Sequence, residues 1–428
     1  MKIRSLIFLA VIAVLLGVVT TCEDTDSPTN NPEDTYYTVS FVVNGGSPAP
    51  QNQTVSSGGK VTEPAAMTKS GYNFGGWYKE AAFINLWNFA IDTVTGNITL
   101  YAKWDPPLVV SGETLAAKFQ WLNSNAASNT DYIIEVSGDE LIGPQDLSFT
   151  GKSNITIQLI GIGGERNIER YGSSYSAFFT IGRISTSNTQ NEITLILNEN
   201  IVLKGSVNVQ REGNLIMNNG SKITDGSVSV GSNGTFIMNG GEITVTADNY
   251  NNSVVSVSGS YNYSTRKTES GTFTMNGGKI SGGDNSGVSV YYGIFTMTGG
   301  EISGNTGGNY GGGVNVNNGT FTMTGGVISG NTAYSNGGGV YINATASNDI
   351  NFRKTGGIIT GYSSDNVNGN VVILYSEEIQ NDNGHAIYVA AYDDRFLRFK
   401  DTTAGEQDNL SYVSNGLNPP TISGVWDE

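Results

Sequence analysis

Apolar side chains recur in a repeated pattern in the middle of the chain. The segments that begin at Gly271, Gly293 and Gly319 each continue as x-Phe-Thr-Met-x-Gly-Gly-x-Ile-Ser. Phe and Met lie two residues apart with Thr between them, so each segment predicts a strand with one apolar and one polar face. The Gly-Gly pair predicts a turn, and the Ile that follows begins a second short strand.

A third short strand is predicted after each copy, at Val288–Val290, Val314–Val316 and Val340–Ile342. The copies are separated by 22 and then by 26 residues. Units of this length, with three strands and three Gly/Asn corners, bury their apolar faces only by stacking on one another. We therefore predict a mainly β protein built as a right-handed parallel β-helix. A β-sandwich, the competing all-β fold, would not require identical sequence in successive units.

Weaker copies of the motif extend the predicted solenoid in both directions, over residues 111–428. Phe236 and Phe273 are 37 positions apart, more than one unit needs, so a protruding loop is predicted at about 261–270. The strands from Val371 onward are predicted to form the final coil and a C-terminal cover.

An amphipathic helix is predicted at 113–126, ahead of the first coil. Its apolar stripe recurs at i, i+4, i+7 and i+11 and consists of Leu115, Phe119, Leu122 and Ala126. Ser111 is the predicted N-cap, and Glu113 suits the positive first turn. Because an open solenoid end exposes strand edges, we expect this helix to cap the solenoid. A membrane-active helix is disfavoured, since the polar face carries a single Lys.

The N-terminus has the pattern of an export signal. Leu6–Val19 is an uncharged apolar run of 14 residues, long enough for a secretory signal but short for a spanning helix. The sequence Val-Thr-Thr-Cys that ends at Cys22 resembles the lipobox of bacterial lipoproteins, although Thr21 stands where that family has Gly, Ala or Ser. The resemblance implies a signal peptide at 1–21 and lipid attachment at Cys22. The alternative is an ordinary signal peptide with an incidental Cys.

Residues 22–36 are rich in Asp, Thr, Pro and Asn and predict a disordered tether. Such a tether would lift the rest of the chain off the membrane. The lipobox resemblance therefore implies an exported protein that is lipid-anchored in the bacterial cell envelope, at the outer membrane or cell surface.

Residues 37–104 predict a small β module with an aromatic core. Trp77, Trp87 and Trp104 are large enough to fill it, and a carbohydrate platform is the other interpretation of these rings. The signatures Gly-Tyr-Asn-Phe-Gly-Gly-Trp-Tyr and Leu-Tyr-Ala-Lys-Trp resemble the internalin-type B repeat, also called the Listeria/Bacteroides repeat. That resemblance implies a β-grasp-like stalk or adhesion module of a surface protein, without catalysis. A linker, 105–110, follows.

Composition excludes several kinds of function. The net charge is -16, with 22 basic and 38 acidic side chains, and no basic cluster lies beyond the N-terminus. A nucleic-acid partner is therefore not expected. One Cys excludes an intrachain disulfide, and a single histidine, His385, excludes a His-rich metal site. No cofactor and no metal are predicted.

The solenoid as a whole resembles surface β-helix proteins of the pectate-lyase-like and adhesin families, in architecture and repeat style. Lyases on this fold need acidic residues converging on calcium, and the outward positions of the third strands carry none. These positions form a candidate ligand-binding face for glycans or for surface or host proteins, made of Tyr291, Asn315, Asn317, Tyr341 and Asn343. The stacked Thr residues and the corner residues Asn305 and Asn331 are interpreted as structural.

We therefore expect a non-enzymatic adhesion or envelope-interaction protein with no catalytic residues. The alternative is a carbohydrate-active enzyme, a polysaccharide lyase or glycosidase whose site is assembled from loops.

Overall fold

The computed structural model describes residues 35–172, 177–183, 192–245, 253–262, 267–344, 352–361, 368–373, 386–391 and 395–398. The predicted signal peptide, Cys22 and nearly all of the predicted tether lie outside the described residues. So do His385 and most of the predicted C-terminal cover.

The first part of the chain contains β1 Tyr36–Val42, β2 Gln53–Ser56, β3 Asn73–Tyr78, β4 Ile98–Asp105, β5 Leu108–Val109, α1 Leu115–Asn125, β6 Thr130–Val136, β7 Glu140–Ile142, β8 Gln145–Leu147, β9 Ile155–Gly161, β10 Arg166–Arg170, β11 Phe179–Ile181, β12 Ile193–Leu197, β13 Ile201–Lys204 and β14 Val207–Val209. The middle contains β15 Gly213–Met217, β16 Lys222–Thr224, β17 Val228–Val230, β18 Thr235–Met238, β19 Glu242–Thr244, β20 Val255–Asn262, β21 Lys267–Ser270, β22 Thr272–Met275, β23 Lys279–Ser281, β24 Val288–Tyr291, β25 Ile294–Met297 and β26 Glu301–Ser303. The last part contains β27 Val314–Asn317, β28 Thr320–Ser329, β29 Thr332–Ala333, β30 Val340–Ala344, β31 Phe352–Ile359, β32 Val371–Val372, β33 Ile387–Ala391 and β34 Arg395–Arg398.

The N-terminal module is a four-stranded sheet in the order β2-β1-β4-β3. Val39, Leu100 and Ala102 are fully buried, and Trp77 and Trp87 are 3% and 5% exposed. Trp104 packs against this cluster and donates its indole N–H to the carbonyl of Val43 at 2.9 Å. The tryptophans therefore form the core of the module, which confirms the core interpretation over the platform.

Two long, predominantly parallel sheets follow, which contain 17 and 11 strands among the described residues. The first and second strands of each repeat lie in the larger sheet, and the third strands lie in the smaller one. The registers align equivalent residues of successive repeats, so that Phe273 pairs with Phe295 and Phe295 with Phe321. The predominantly β content and the stacked parallel registers are consistent with the β-helix-like solenoid that the sequence predicts.

Stacked phenylalanines run through the interior of this part of the chain. The ring centroids of Phe236 and Phe273 are 4.6 Å apart, and the next two stacking distances are both 4.8 Å, with interplanar angles of 5 to 7°. These distances match the ordinary spacing of neighbouring strands. The column continues to Phe352, and every ring in it is at most 1% exposed.

The corner asparagines form a buried ladder. The carboxamide of Asn305 donates to Oδ1 of Asn331, and Asn331 donates in the same way to Asn370, both at 2.8 Å. Asn305 also accepts from the backbone N–H of Gly283 at 3.0 Å. This confirms the structural interpretation of Asn305 and Asn331 and adds Asn370, which the sequence did not indicate.

A second asparagine ladder lies at the exposed turn after the Met position. Asn239 donates to Asn218 at 3.1 Å, Asn276 donates to Asn239 at 3.0 Å, and Thr298 donates to Asn276 at 2.8 Å. The two ladders connect successive repeats at two different corners.

The helix is shorter than predicted and has a different N-cap. It spans Leu115–Asn125, and the side chain of Thr114 accepts from the N–H of Ala117, so Ser111 is not the cap and Glu113 is not in the first turn. The carboxylate of Glu140 accepts from the N–H of Leu115 at 3.1 Å and satisfies another donor at this end.

The predicted apolar stripe is confirmed, because Leu115, Phe119, Leu122 and Ala126 are all buried. The ring of Phe119 lies edge-on to that of Phe179 at 5.6 Å. The helix therefore packs on the apolar interior of the first repeats.

The predicted protruding loop at 261–270 is an antiparallel hairpin that begins earlier in the chain. β20 runs past the third-strand position and pairs with β21, from Gly259 opposite Ser270 to Asn262 opposite Lys267. Residues 246–252 and 263–266 of this long repeat lie outside the described residues.

Candidate functional site

The third strands place the predicted ligand-binding residues on one surface. Inward Val and Ile residues alternate with outward polar residues along β24, β27 and β30. The outward side chains fall into two columns, one of Ser289, Asn315 and Tyr341 and one of Tyr291, Asn317 and Asn343. We call these six residues, together with Tyr310 described below, the third-strand face.

Strand spacing sets the dimensions of this face. Neighbouring parallel strands lie about 4.8 Å apart, the same distance that separates the stacked core rings of Phe295 and Phe321. Tyr291 and Tyr341 belong to strands separated by one intervening strand, so their backbones are about 10 Å apart along the stack. Amide side chains of the intervening strand lie between them.

Tyr341 points outward but is covered, so it is only 9% exposed. The ring of Tyr310, from the glycine-rich loop before β27, stacks on it with centroids 4.6 Å apart at an interplanar angle of 26°. Burial, and to a lesser degree Tyr310, raises the pKa of Tyr341 above its ordinary value, which keeps its hydroxyl protonated.

Tyr310 is 40% exposed and presents the ring that covers Tyr341 to solvent. Sequence reasoning missed it, because it lies in a Gly/Asn loop outside the alternating strand pattern. The only signal in the sequence was a single aromatic residue within Gly-Gly-Asn-Tyr-Gly-Gly-Gly.

Tyr291 is the most exposed aromatic of the predicted set, at 51%. Its ring meets that of Tyr292 edge-on, with centroids 4.7 Å apart at 80°. Tyr292 has a φ of 53°, a conformation that is uncommon for a bulky residue and needs support from its surroundings.

The β20–β21 hairpin provides that support. Ser270 donates its hydroxyl to the carbonyl of Tyr292 at 2.8 Å, and Ser258 forms an isolated antiparallel bridge with Tyr292. A Cβ at Gly259 would lie 2.1 Å from the same carbonyl oxygen, so this close approach requires glycine. The hairpin therefore fixes the backbone on which Tyr291 is displayed.

Charged side chains lie on the second strands instead. The register places Lys279 between Glu242 and Glu301, and Lys279 contacts the carboxylate of Glu301 at 3.0 Å. Hydrogen bonding from Ser303, and next from Lys279, holds the pKa of Glu301 below its ordinary value. Lys279 thus has a glutamate at the equivalent position of each neighbouring strand and forms an ion pair with Glu301.

Within the described ranges, no three His, Cys, Asp or Glu residues lie close enough together to hold a metal ion. In the same part of the chain, no helix has the length and apolar character needed to cross a bilayer.

Comparison with known proteins bears on the N-terminal module. Residues 37–103 match the Listeria-Bacteroides repeat domain, which confirms the resemblance predicted for 37–104. The matched family covers this module only, and the pectate-lyase-like and adhesin-like resemblance of the solenoid stays a prediction.

Two similar curated proteins come from Evansella cellulosilytica. One, named "Putative Gly-rich membrane protein", is 45% identical over 69 residues, which are 16% of this chain and 8% of that protein. The other, named "Putative membrane protein", is 42% identical over 69 residues, which are 16% of this chain and 10% of that protein. The chain thus spans a tenth or less of the length of these relatives.

Proposed function

We propose that this chain is a non-enzymatic surface protein that binds neutral glycans through the third-strand face. Exposed tyrosine rings and amide side chains on a rigid parallel sheet carry the proposal. The sheet supports the side chains from behind with fully buried valines, at positions such as Val290 and Val316. Little ordering is therefore needed when a ligand binds.

The chemistry of the face fits a sugar chain. A sugar ring presents C–H groups on one face, which pack on the electron-rich face of an aromatic ring such as Tyr291 or Tyr310. Its hydroxyl groups donate and accept, and the carboxamides of Asn315 and Asn317 can do both in return. Tyrosine and amide groups carry no charge at neutral pH, so a neutral polymer suits the face better than an acidic one.

The arrangement of the third-strand face also favours one orientation of a bound glycan. The backbones of Tyr291 and Tyr341 lie about 10 Å apart along the stack, with Asn315 and Asn317 on the strand between them. The exposed ring of Tyr310 stacks on Tyr341. A linear glycan lying along the solenoid axis would contact both rings and the amides between them.

The proposed location is the bacterial cell envelope, with a lipid anchor at Cys22. The signal-like N-terminus, the surface-protein module at 37–104 and the membrane-protein names of the two relatives all support it. The anchor would hold the chain at the outer membrane or cell surface, where the third-strand face can reach glycans or host proteins.

For the fold, we propose a right-handed parallel β-helix capped at its N-terminal end by α1. Parallel β connections are right-handed in nearly all known cases. The burial of Phe119 and Leu122 against the first repeats supports the cap.

A glycan array probed with the full chain carrying Cys22→Ser, which removes the predicted lipid-attachment site, tests the binding proposal. The same glycans are then incubated with the protein and searched for products. Binding without products is the expected result. Product formation that is lost on changing a loop acid such as Asp284→Asn would establish the enzymatic alternative.

The anchor is tested separately in cells. Wild-type protein is expected to partition into detergent and to accumulate unprocessed when lipoprotein signal peptidase is inhibited by globomycin. Cys22→Ser is expected to stay unprocessed with and without globomycin, and its uncleaved apolar segment still partitions into detergent. Incorporation of labelled palmitate is therefore the decisive readout, expected in the wild type and absent in Cys22→Ser. A wild-type protein that incorporates no palmitate would contradict lipid attachment.

A further inference from the structure

The junction between the N-terminal module and the solenoid is unusually short. β4 ends at Asp105 and β5 begins at Leu108, so only Pro106 and Pro107 separate strands of the two parts. Proline fixes its own φ and restricts the residue before it. The predicted linker, 105–110, therefore contains little backbone that is free to rotate.

β5 is already part of the solenoid sheet. Leu108 and Val109 pair in parallel with Tyr132 and Ile133 of β6. The backbone N–H of Val110 then donates to the carbonyl of Ile133 at 2.8 Å. The C-terminal side of the junction is thus held by strand pairing immediately after the prolines.

On the N-terminal side of the junction, Asn73 of the module forms hydrogen bonds with the solenoid. Its Oδ1 accepts from the backbone N–H of Asp131 at 2.6 Å, and its Nδ2 donates to the carbonyl of the same residue at 3.2 Å. The same Nδ2 lies 3.4 Å from the carbonyl of Pro106. One side chain therefore binds both backbone groups of a solenoid strand and also contacts the connecting segment.

This contact is specific to an amide side chain. Both an acceptor and a donor are needed to satisfy the N–H and C=O of one residue, and Asn offers them on one planar group. Asp131 lies in β6, which pairs with β9 over seven residues. Asn73 is thus attached to a well-anchored strand and not to a surface loop.

We propose that the module at 37–104 and the solenoid form one rigid arm, locked by the Asn73–Asp131 contact. Domains joined by small interfaces ordinarily move relative to one another, and here a proline pair, a strand pairing and a two-way amide contact oppose that motion. The proposal does not depend on what the third-strand face binds. Its consequence is that reorientation of the arm takes place outside this junction.

One side of the junction leaves room for the motion that Asn73 prevents. A crevice of about 460 Å³ lies between the two parts and is lined by residues that include Met67, Phe74, Leu108 and Asn129. Without the Asn73 contact, the module could rock toward this space about the two prolines.

Distance measurements between paired spin labels test the proposal in the full chain. In a Cys22→Ser background, labels are placed at the exposed positions Glu63 and Asn219, one in each part. A second pair, at Asn219 and Thr324, lies entirely within the solenoid. Its distance distribution serves as the reference width for two labels on one rigid body. The wild-type distribution across the junction is expected to be as narrow as this reference.

Asn73→Ala is expected to broaden the distribution across the junction about twofold, toward that of modules on a free linker. The matched control is Asn52→Ala, which removes an exposed amide of the same module. The tryptophan fluorescence of the variant shows that the module is still folded, since Trp77 and Trp87 lie in its core.

A broad distribution in the wild-type protein would overturn the rigid arm. A narrow distribution that Asn73→Ala leaves unchanged in a folded module would overturn the role of Asn73.

Discussion

The carboxamide of Asn305 donates to Oδ1 of Asn331 at 2.8 Å, and the two side chains are 1% and 0% exposed. Asn331 further donates to the carbonyls of Ile302 and Ser329 at 2.9 and 3.1 Å. A buried polar group is costly unless it is hydrogen-bonded, and these amides bind one another and the backbone. The ladder therefore links successive repeats by a polar contact that tolerates few other residues.

Asn331→Ala is expected to destabilise the protein by about 3 kcal/mol, because it leaves several buried donors and acceptors without partners. The matched control is Asn276→Ala in the exposed ladder, where water replaces the lost bonds and the cost should stay below about 1 kcal/mol. Urea unfolding followed by circular dichroism measures both. If both variants lost the same unfolding free energy, burial of the Asn305–Asn331 ladder would not contribute to stability.

Phe295→Ala is expected to cost about 3 to 5 kcal/mol, because it opens a cavity in the core. The ring of Phe295 stacks on a phenylalanine on each side, at 4.8 Å in both cases. The neighbouring Thr296 is partly exposed on the outward face of the same strand. Thr296→Ala should therefore change stability by no more than about 0.5 kcal/mol. If both variants lost a comparable unfolding free energy in the same assay, the assignment of Phe295 to the inward face and Thr296 to the outward face would be contradicted.

Asp131→Asn is expected to stabilise the protein at pH 7 and to have no such effect in acid. Burial raises the pKa of Asp131 above 3.8, while a hydrogen bond with Thr156 partly opposes the shift. A carboxyl whose pKa is raised on folding destabilises the fold when charged, and this penalty disappears as the pH falls below the unfolded pKa. Urea midpoints of the variant and the wild type should therefore converge between neutral pH and about pH 4.

Glu301→Gln, in the second strand of a repeat, is expected to change stability in the opposite direction. The hydrogen bond from Ser303 and the contact with Lys279 hold the pKa of Glu301 below 4.5. Its charge therefore stabilises the fold above the unfolded pKa, and that stability is lost as the pH falls through the lower, folded pKa. This variant should be less stable than the wild type at pH 7 and equal to it in strong acid. If Asp131→Asn and Glu301→Gln changed stability at pH 7 in the same direction, the opposite pKa shifts assigned to Asp131 and Glu301 would be contradicted.

Much of the fold could be predicted because the recurring residues mark which positions of successive repeats pair with one another. Phe, Met and Ile recur at fixed positions, and only stacking of equivalent strands places all of them inside. The helix boundary was less well defined, since Ser111 and Thr114 both suit an N-cap. Thr114 directly precedes the apolar stripe, and the bond from Leu115 to Glu140 comes from a strand 25 residues away.

The candidate site was predictable only in part. Alternation along β24, β27 and β30 identified the outward residues, but it carries no information on the loops between strands. Tyr310 covers Tyr341 from such a loop, and the hairpin that fixes Tyr292 lies in an insertion that the repeat does not contain. Asn370 was missed for a similar reason, because no copy of the repeat motif surrounds it.

Glycan binding by variants of the third-strand face tests the central claim most directly. Each full-length protein carries Cys22→Ser and is applied to the same glycan array, and binding constants are then measured for the glycans retained. Loss of one stacked ring should weaken binding about tenfold, as expected for 1.4 kcal/mol. Tyr291→Ala and Tyr310→Ala should each do so, whereas Thr296→Ala on the first-strand surface should bind like the wild type. Unchanged binding in both tyrosine variants, or an equal loss in Thr296→Ala, would contradict the assignment of the third-strand face as the binding surface.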